Sequence, residues 1–226
     1  MTVPGLRPPP PECRVASHDV ARPPDLVRPD LSGPVEAVAP ALLGCLLEAG
    51  GVRVRLTEVE AYGDEGADPA SHAYRGRTPR SDIMFGPPGR LYVYFTYGMH
   101  WCANVVTGPD GEASAVLLRA GMVVGGIETA RARRPGASDR DLCRGPARLA
   151  KALGLDGAAL GSDLLAEGSP VRLRAGTAGG LVVTGPRVGV AQGADTPWRF
   201  WMEGEPTVSP YRPGARRPPA RRTLRP

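Results

Sequence analysis

The sequence predicts a single mixed α+β domain, and three observations carry that prediction. Apolar and polar residues alternate from Val52 to Tyr62, the period of a half-buried strand. Two further strand-like runs, Leu91–Phe95 and His100–Val106, flank the turn Thr96-Tyr97-Gly98-Met99, which makes a hairpin with Tyr97 at its tip. Gly126–Arg134 and Gly145–Leu153 have helical spacing, and no internal repeat or second core accompanies them.

The remaining elements follow in chain order. Residues 1–33 are dense in proline and arginine, which disfavours helices and ladders, so a flexible arm is expected before a body at 34–212. Val35–Leu47 is an apolar run, expected as a short helix interrupted near Pro40. In the first strand Val52, Val54, Leu56, Glu58, Glu60 and Tyr62 are expected to share one face, opposite Arg53, Arg55 and Thr57, so that Glu60 and Tyr62 point the same way. The loop Gly63–Pro79 carries His72 among glycines, proline and charges. Ala115–Leu118 reads as a short buried strand ending at Arg119, and Val171–Leu173, Leu181–Thr184 and Arg187–Val190 as further strands. Residues 213–226 read as a basic disordered tail.

Composition removes several classes of function. A chain of 226 residues, 42% hydrophobic, can bury one sizeable core, and no apolar run approaches the roughly 20 residues of a membrane span. Thr2–Pro11 lacks the apolar centre of a secretory signal, so a soluble cytoplasmic protein without membrane contact is expected, nucleoid-associated if bacterial. Cys13, Cys45, Cys102 and Cys143 lie far apart, suggesting neither a zinc ribbon nor a disulfide framework. With His18, His72 and His100 the only histidines, no metal site and no cofactor are expected. Lys151 is the only lysine and sits in a helix-like run, which disfavours a lysine nucleophile. A net charge of +5 suits a polyanionic partner, although ordinary surface solvation would look the same.

The densest chemistry lies between Glu58 and Asn104. An acid and a ring (Glu60, Tyr62), a histidine (His72), a basic loop (Arg75, Arg77, Arg80) and the aromatic hairpin fall within fifty residues. Carboxylate, stacking rings and arginines suit a protein that grips a nucleobase and acts on its bond to the sugar. Glu58 competes with Glu60 for the catalytic position, the alternative for either being a structural carboxylate paired with arginine.

Thr57-Glu58-Val59-Glu60-Ala61-Tyr62, His72, Arg77-Thr78-Pro79-Arg80, Met84-Phe85, Pro88–Tyr94, Tyr97-Gly98-Met99, Asn104, Val116–Arg119, Arg144-Gly145-Pro146 and Arg187–Val190 closely resemble the alkyladenine (3-methyladenine) DNA glycosylase family, from about Val35 to Tyr211. The resemblance implies a curved, mainly antiparallel sheet of open-barrel type, flanked by helices, with a protruding hairpin. It implies a monofunctional enzyme of base excision repair acting on double-stranded DNA, and a monomer is the default for an enzyme that scans DNA. Such an enzyme flips out an alkylated or deaminated purine, of the 3-methyladenine, 7-methylguanine or hypoxanthine type, and hydrolyses its N-glycosidic bond.

By the same resemblance, Glu60 is the general base, Arg119 helps hold the attacking water, and a backbone carbonyl near Val188 completes the water site. Tyr62 and Tyr94 stack on the flipped purine, His72 meets its other face or edge, and Asn104 excludes the amino group of guanine. Tyr97 enters the minor groove and fills the vacated space. Arg75, Arg77, Arg80, Arg144 and Arg148 flank this site as phosphate contacts. Two departures stand out: the run from Glu60 to His72 is one residue longer than the family pattern, and Thr207 replaces an expected tryptophan. A non-catalytic binder of damaged or single-stranded DNA would keep the rings and arginines without needing Glu60 or Arg119. A small-molecule hydrolase or transferase would leave the hairpin tyrosine unexplained.

Overall fold

The computed structural model describes residues 29–176 and 179–214, so the arm up to residue 28 and the tail from residue 215 lie outside the described residues. Eight strands form one antiparallel sheet: β1 (Leu46–Ala49), β2 (Val52–Tyr62), β3 (Leu91–Thr96), β4 (His100–Val106), β5 (Ala115–Gly125), β6 (Val171–Arg174), β7 (Val182–Gly185) and β8 (Arg199–Met202). Three helices pack against it, α1 (Val35–Ala41), α2 (Ile127–Arg133) and α3 (Pro146–Leu153). The mixed α+β architecture and the projecting β3–β4 hairpin are as the sequence predicts.

The long strand β2 is the spine. Its one edge pairs with β5 along nearly the whole length, while its other edge is shared, Val52–Arg55 pairing with β1 and Glu58–Glu60 with β8. An edge that changes partner halfway curls the sheet into a half-barrel, with α1 and α3 covering its apolar face. That core holds Leu42, Leu47, Leu56, Leu118, Leu149 and Leu153, all 1% exposed or less, and Leu31 joins it from just before α1. Among the described residues no helix is long and apolar enough to cross a membrane.

The expected single face of β2 is corrected by a double β-bulge. Leu56 pairs with Gly121, Glu58 with Ala120 and Val59 with Leu118, so Thr57 on β2 and Arg119 on β5 are each extra residues in the ladder. Val52, Val54 and Leu56 lie in the core before the bulge, and Val59 and Ala61 after it. Glu58, Glu60 and Tyr62 are thereby turned to the opposite side of the sheet from Val52, Val54 and Leu56, whose parity in the sequence they share. The bulge is what allows charged and aliphatic residues of one parity to coexist on one strand.

Other expectations change for definable reasons. Strand β5 does not stop at Arg119 but runs to Gly125, because that arginine is paired inside the fold instead of capping a strand in water. Arg187–Val190 is a turn, with Gly189 at φ 74°, and not a strand. The expected helix through Leu47 stops at Ala41, and the chain re-enters as β1, whose leucines continue the apolar run and so hide the change of element. Thr207, in place of the expected tryptophan, is buried and shares a 2.9 Å hydroxyl hydrogen bond with the bulged Thr57.

Gly121 lies directly across from the bulge. A Cβ there would sit 2.6 Å from the Arg55 carbonyl oxygen and against Val54. Gly121→Ala is expected to destabilise the fold by about 1–3 kcal/mol through overpacking. Chemical denaturation midpoints of the two proteins measure this, and equal midpoints would show that the strand separation is not set by this contact.

Candidate active site

Glu60 is fully buried, and each of its carboxylate oxygens has a defined partner. Oε2 accepts from Tyr62 Oη at 2.9 Å and from Arg119 Nη1 at 3.2 Å, while Oε1 accepts from the Val188 amide at 2.7 Å. Tyr62, Arg119 and Val188 all line a cavity of about 310 Å³, so the carboxylate lies directly behind its wall. Val188 thus meets Glu60 through its N–H, a contact that spacing alone did not suggest.

Glu58, the competing acid, is committed elsewhere. Its carboxylate accepts from Arg119 Nε (2.8 Å), Arg199 Nε (2.8 Å), Ser209 Oγ (2.9 Å) and the Ser209 amide (2.6 Å). It does not line the cavity, and three of its four donors converge on Oε1. Burial works to lower the Arg119 pKa, but the Glu60 and Glu58 charges outweigh it and keep the guanidinium protonated.

The other walls are aromatic. Tyr92, Tyr94 and Asn104 come from the β3–β4 hairpin, where Asn104 is buried and donates to the Tyr92 carbonyl at 3.0 Å. His72 lines the cavity despite the extra residue in its loop, its ring 4.6 Å from Tyr94 and nearly perpendicular to it. Arg80 can only donate, and its Nη2 lies 3.4 Å from His72 Nε2. The ring proton is therefore on Nδ1, which donates to Tyr92 Oη at 2.9 Å. Burial first, and the Arg80 charge second, lower the His72 pKa from 6.5 to about 4, so the imidazole meets the cavity uncharged at neutral pH. Burial, followed by the Glu60 charge, raises the Tyr62 hydroxyl well above its ordinary value.

Each of the two tyrosines has a cation over its ring. Arg187 stands 4.8 Å from the Tyr62 centroid and Arg80 4.9 Å from that of Tyr94. Arg187 is fully buried and forms a two-pronged ion pair with Asp68 at 2.6 and 2.8 Å. Neither residue was assigned a site role from sequence. The traces they left were an acid inside a glycine-rich loop and an arginine opening the Arg187–Val190 motif.

At the cavity mouth Tyr97 is 85% exposed at the hairpin tip, with φ 51°, the only described non-glycine residue in the left-handed region. Of the basic residues, Arg80 reaches the cavity wall, and Arg75 is exposed. Arg77 pairs with Asp82 at 3.2 Å and covers Phe85. Arg144 and Arg148 gather on Asp141 at 3.5 and 3.7 Å, next to the cavity-lining Pro146 and Ala147. No group of three or more described His, Cys, Asp or Glu residues is placed to hold a metal.

The His72 ring is expected to titrate near pH 4 instead of 6.5 in a proton NMR titration. Arg80→Ala removes a repelling charge and is expected to move the midpoint upward. An unchanged midpoint in that variant would show that Arg80 does not set the ring's charge.

Comparison with known proteins agrees with this geometry. The sequence pattern of the methylpurine-DNA glycosylase family matches residues 30–206. A Frankia casuarinae protein named "Putative 3-methyladenine DNA glycosylase" is 54% identical over 194 residues, covering 81% of this chain and 91% of its own. A Streptomyces avermitilis protein of the same name is 54% identical over 207 residues, covering 88% and 96%. A third from Mycobacterium tuberculosis is 52% identical over 188 residues, covering 80% and 92%. With most of its length matched, its carboxylate held behind the cavity wall and that cavity lined by rings, this chain belongs to the methylpurine-DNA glycosylase family and is a DNA-repair hydrolase of the DNA glycosylase type.

Proposed function

We propose that the chain flips alkylated and deaminated purines, of the 3-methyladenine, 7-methylguanine and hypoxanthine type, out of duplex DNA and hydrolyses their N-glycosidic bonds. The observation that carries this reading is the Glu60 carboxylate, held by Tyr62, Arg119 and Val188 behind an aromatic cavity. Oε1 accepts only the Val188 amide, which leaves it a lone pair for water.

Water held there, with Arg119 and the Val188 carbonyl as further partners, gives its proton to Glu60 as its oxygen bonds to C1′. The C1′–N9 bond breaks and its electron pair leaves with the purine, through an oxocarbenium-like state. A purine alkylated at N3 or N7 is cationic and departs neutral, whereas hypoxanthine departs as an anion and takes its proton from solvent. The DNA strand stays uncut at the abasic sugar.

Flipping costs a few kcal/mol, and stacking contributes roughly 1–3 kcal/mol per base by alanine substitution, so Tyr62 and Tyr94 can about offset it. The exposed Tyr97 ring fills the gap left in the stack, while Arg75, Arg77, Arg80, Arg144 and Arg148 meet phosphates and fix the register. Asn104 crowds the exocyclic amino group of guanine, and the neutral His72 presents no charge to repel a cationic lesion. One chain supplies all of these groups, which supports a monomer.

Glu60→Gln is expected to slow release of hypoxanthine from a duplex by about 10²-fold or more, with binding retained. Wild-type protein that binds hypoxanthine-containing and methylated duplexes but frees no base from either would replace this reading with that of a damage-binding protein. Tyr97→Ser is expected to weaken lesion binding by about tenfold, the worth of roughly one stacking contact, with no change in melting temperature. Lesion binding at wild-type strength would remove Tyr97 from the flipping step.

A further inference from the structure

Asp68 and Arg187 take no part in the bond-breaking step, yet they tie together three segments that line the cavity, the end of β2, the His72 loop and the chain from Arg187 to Gly193. Asp68 lies in the His72 loop, where its Oδ2 accepts from the Gly63 amide at 3.0 Å and its Oδ1 from the Ala70 amide at 3.1 Å. These contacts fix the chain leaving Tyr62 and the chain approaching His72. Arg187 Nη1 donates to the Ala61 carbonyl at 2.9 Å, between Glu60 and Tyr62, and Nη2 to the Gly193 carbonyl at 3.1 Å. Its guanidinium backs the Tyr62 ring, and the next residue along the chain is Val188, whose amide holds Glu60.

Stability alone does not account for the pair. Replacing a buried ion pair by apolar residues of similar volume is often neutral or favourable. Here Arg187 also leaves its buried Nε without a partner, a net cost that a side chain placed for packing would avoid. What a guanidinium fork offers over an apolar residue is direction, with four donor bonds at fixed angles to three separate stretches of chain.

We propose that Asp68 and Arg187 form a positioning clasp for base excision, holding the Val188 amide on Glu60 and the Tyr62 ring against the cavity. The consequence for the reaction rests on the proposed roles of Glu60 and Tyr62. Both members act through the groups they hold and neither touches substrate. Burial works to raise the Asp68 pKa, but the Arg187 bonds and the two amides outweigh it and hold the carboxyl below its ordinary value, so the clasp stays charged at neutral pH.

The test combines two readouts on the full chain: amide exchange of Val188 by NMR, and the single-turnover rate of hypoxanthine release at saturating enzyme. In Asp68→Asn, Val188 is expected to exchange at least about tenfold faster and base release to slow by about 10–100-fold, the scale of a misplaced reacting group. Affinity for undamaged duplex should stay within about twofold, because the phosphate contacts lie elsewhere. Arg187→Lys keeps the charge without the fork and should fall between Asp68→Asn and wild type; should Asp68→Asn fail to fold, it carries both readouts. A folded variant with wild-type Val188 exchange and wild-type release would overturn the proposal and leave the pair a structural ion pair. Glu60→Gln separates the two claims: full base release in that variant would remove Glu60 as the base, while the Val188 exchange rates would still decide the clasp.

Discussion

Burying two carboxylates, Glu58 and Glu60, two residues apart on one strand face is the constraint around which this molecule is built. Each ionised group withdrawn from water costs several kcal/mol unless it is paired and hydrogen-bonded. Arg119 and Arg199 balance the two charges, and Ser209, Tyr62 and Val188 complete the bonding. Those partners come from β5, β8, the chain after β8 and the turn 187–190. The requirement to neutralise two acids therefore fixes how four distant pieces of chain meet, and β8 pairs with β2 beside the acids it serves.

The two acids differ in how their bonds are spent. Glu58 takes four donors, two of them arginines, and lies away from the cavity lining. Glu60 shares Arg119 but draws its other donors from cavity-lining groups. Arg119 is thus shared between the two, its Nε on Glu58 and its Nη1 on Glu60. The double bulge permits the arrangement, since an unbroken strand would have placed both acids on the side that carries Leu56.

Much of this was legible in the sequence. The hairpin showed through because strand, turn and strand follow one another with a clear period, and α2 and α3 because their spacing is regular over two turns. The shared direction of Glu60 and Tyr62 was visible as well, since two residues apart on a strand means one face whatever the bulge does upstream. The inversion at Thr57 was not, because a bulge depends on the partner strand and leaves the alternation of a single strand unchanged. Strand β1 was hidden because its leucines continue the apolar run of α1, and β8, Arg199-Phe200-Trp201-Met202, because it shows no alternation of apolar and polar residues. Arg187 and Asp68 could not be joined from sequence because 118 intervening residues separate them, and a buried arginine looks in sequence like any other in an arginine-rich chain.

The guanidiniums over Tyr62 and Tyr94 bear on how the cavity weighs charge. A cation on one face of a ring draws electron density toward itself and leaves the opposite face poorer, so its pull on a second cation weakens. Both rings carry this bias before any ligand arrives. At the proposed base site, attraction to a positively charged base would therefore be muted, and an uncharged base with the right outline would compete with it. For the base site proposed above, these walls favour selection by outline over selection by charge.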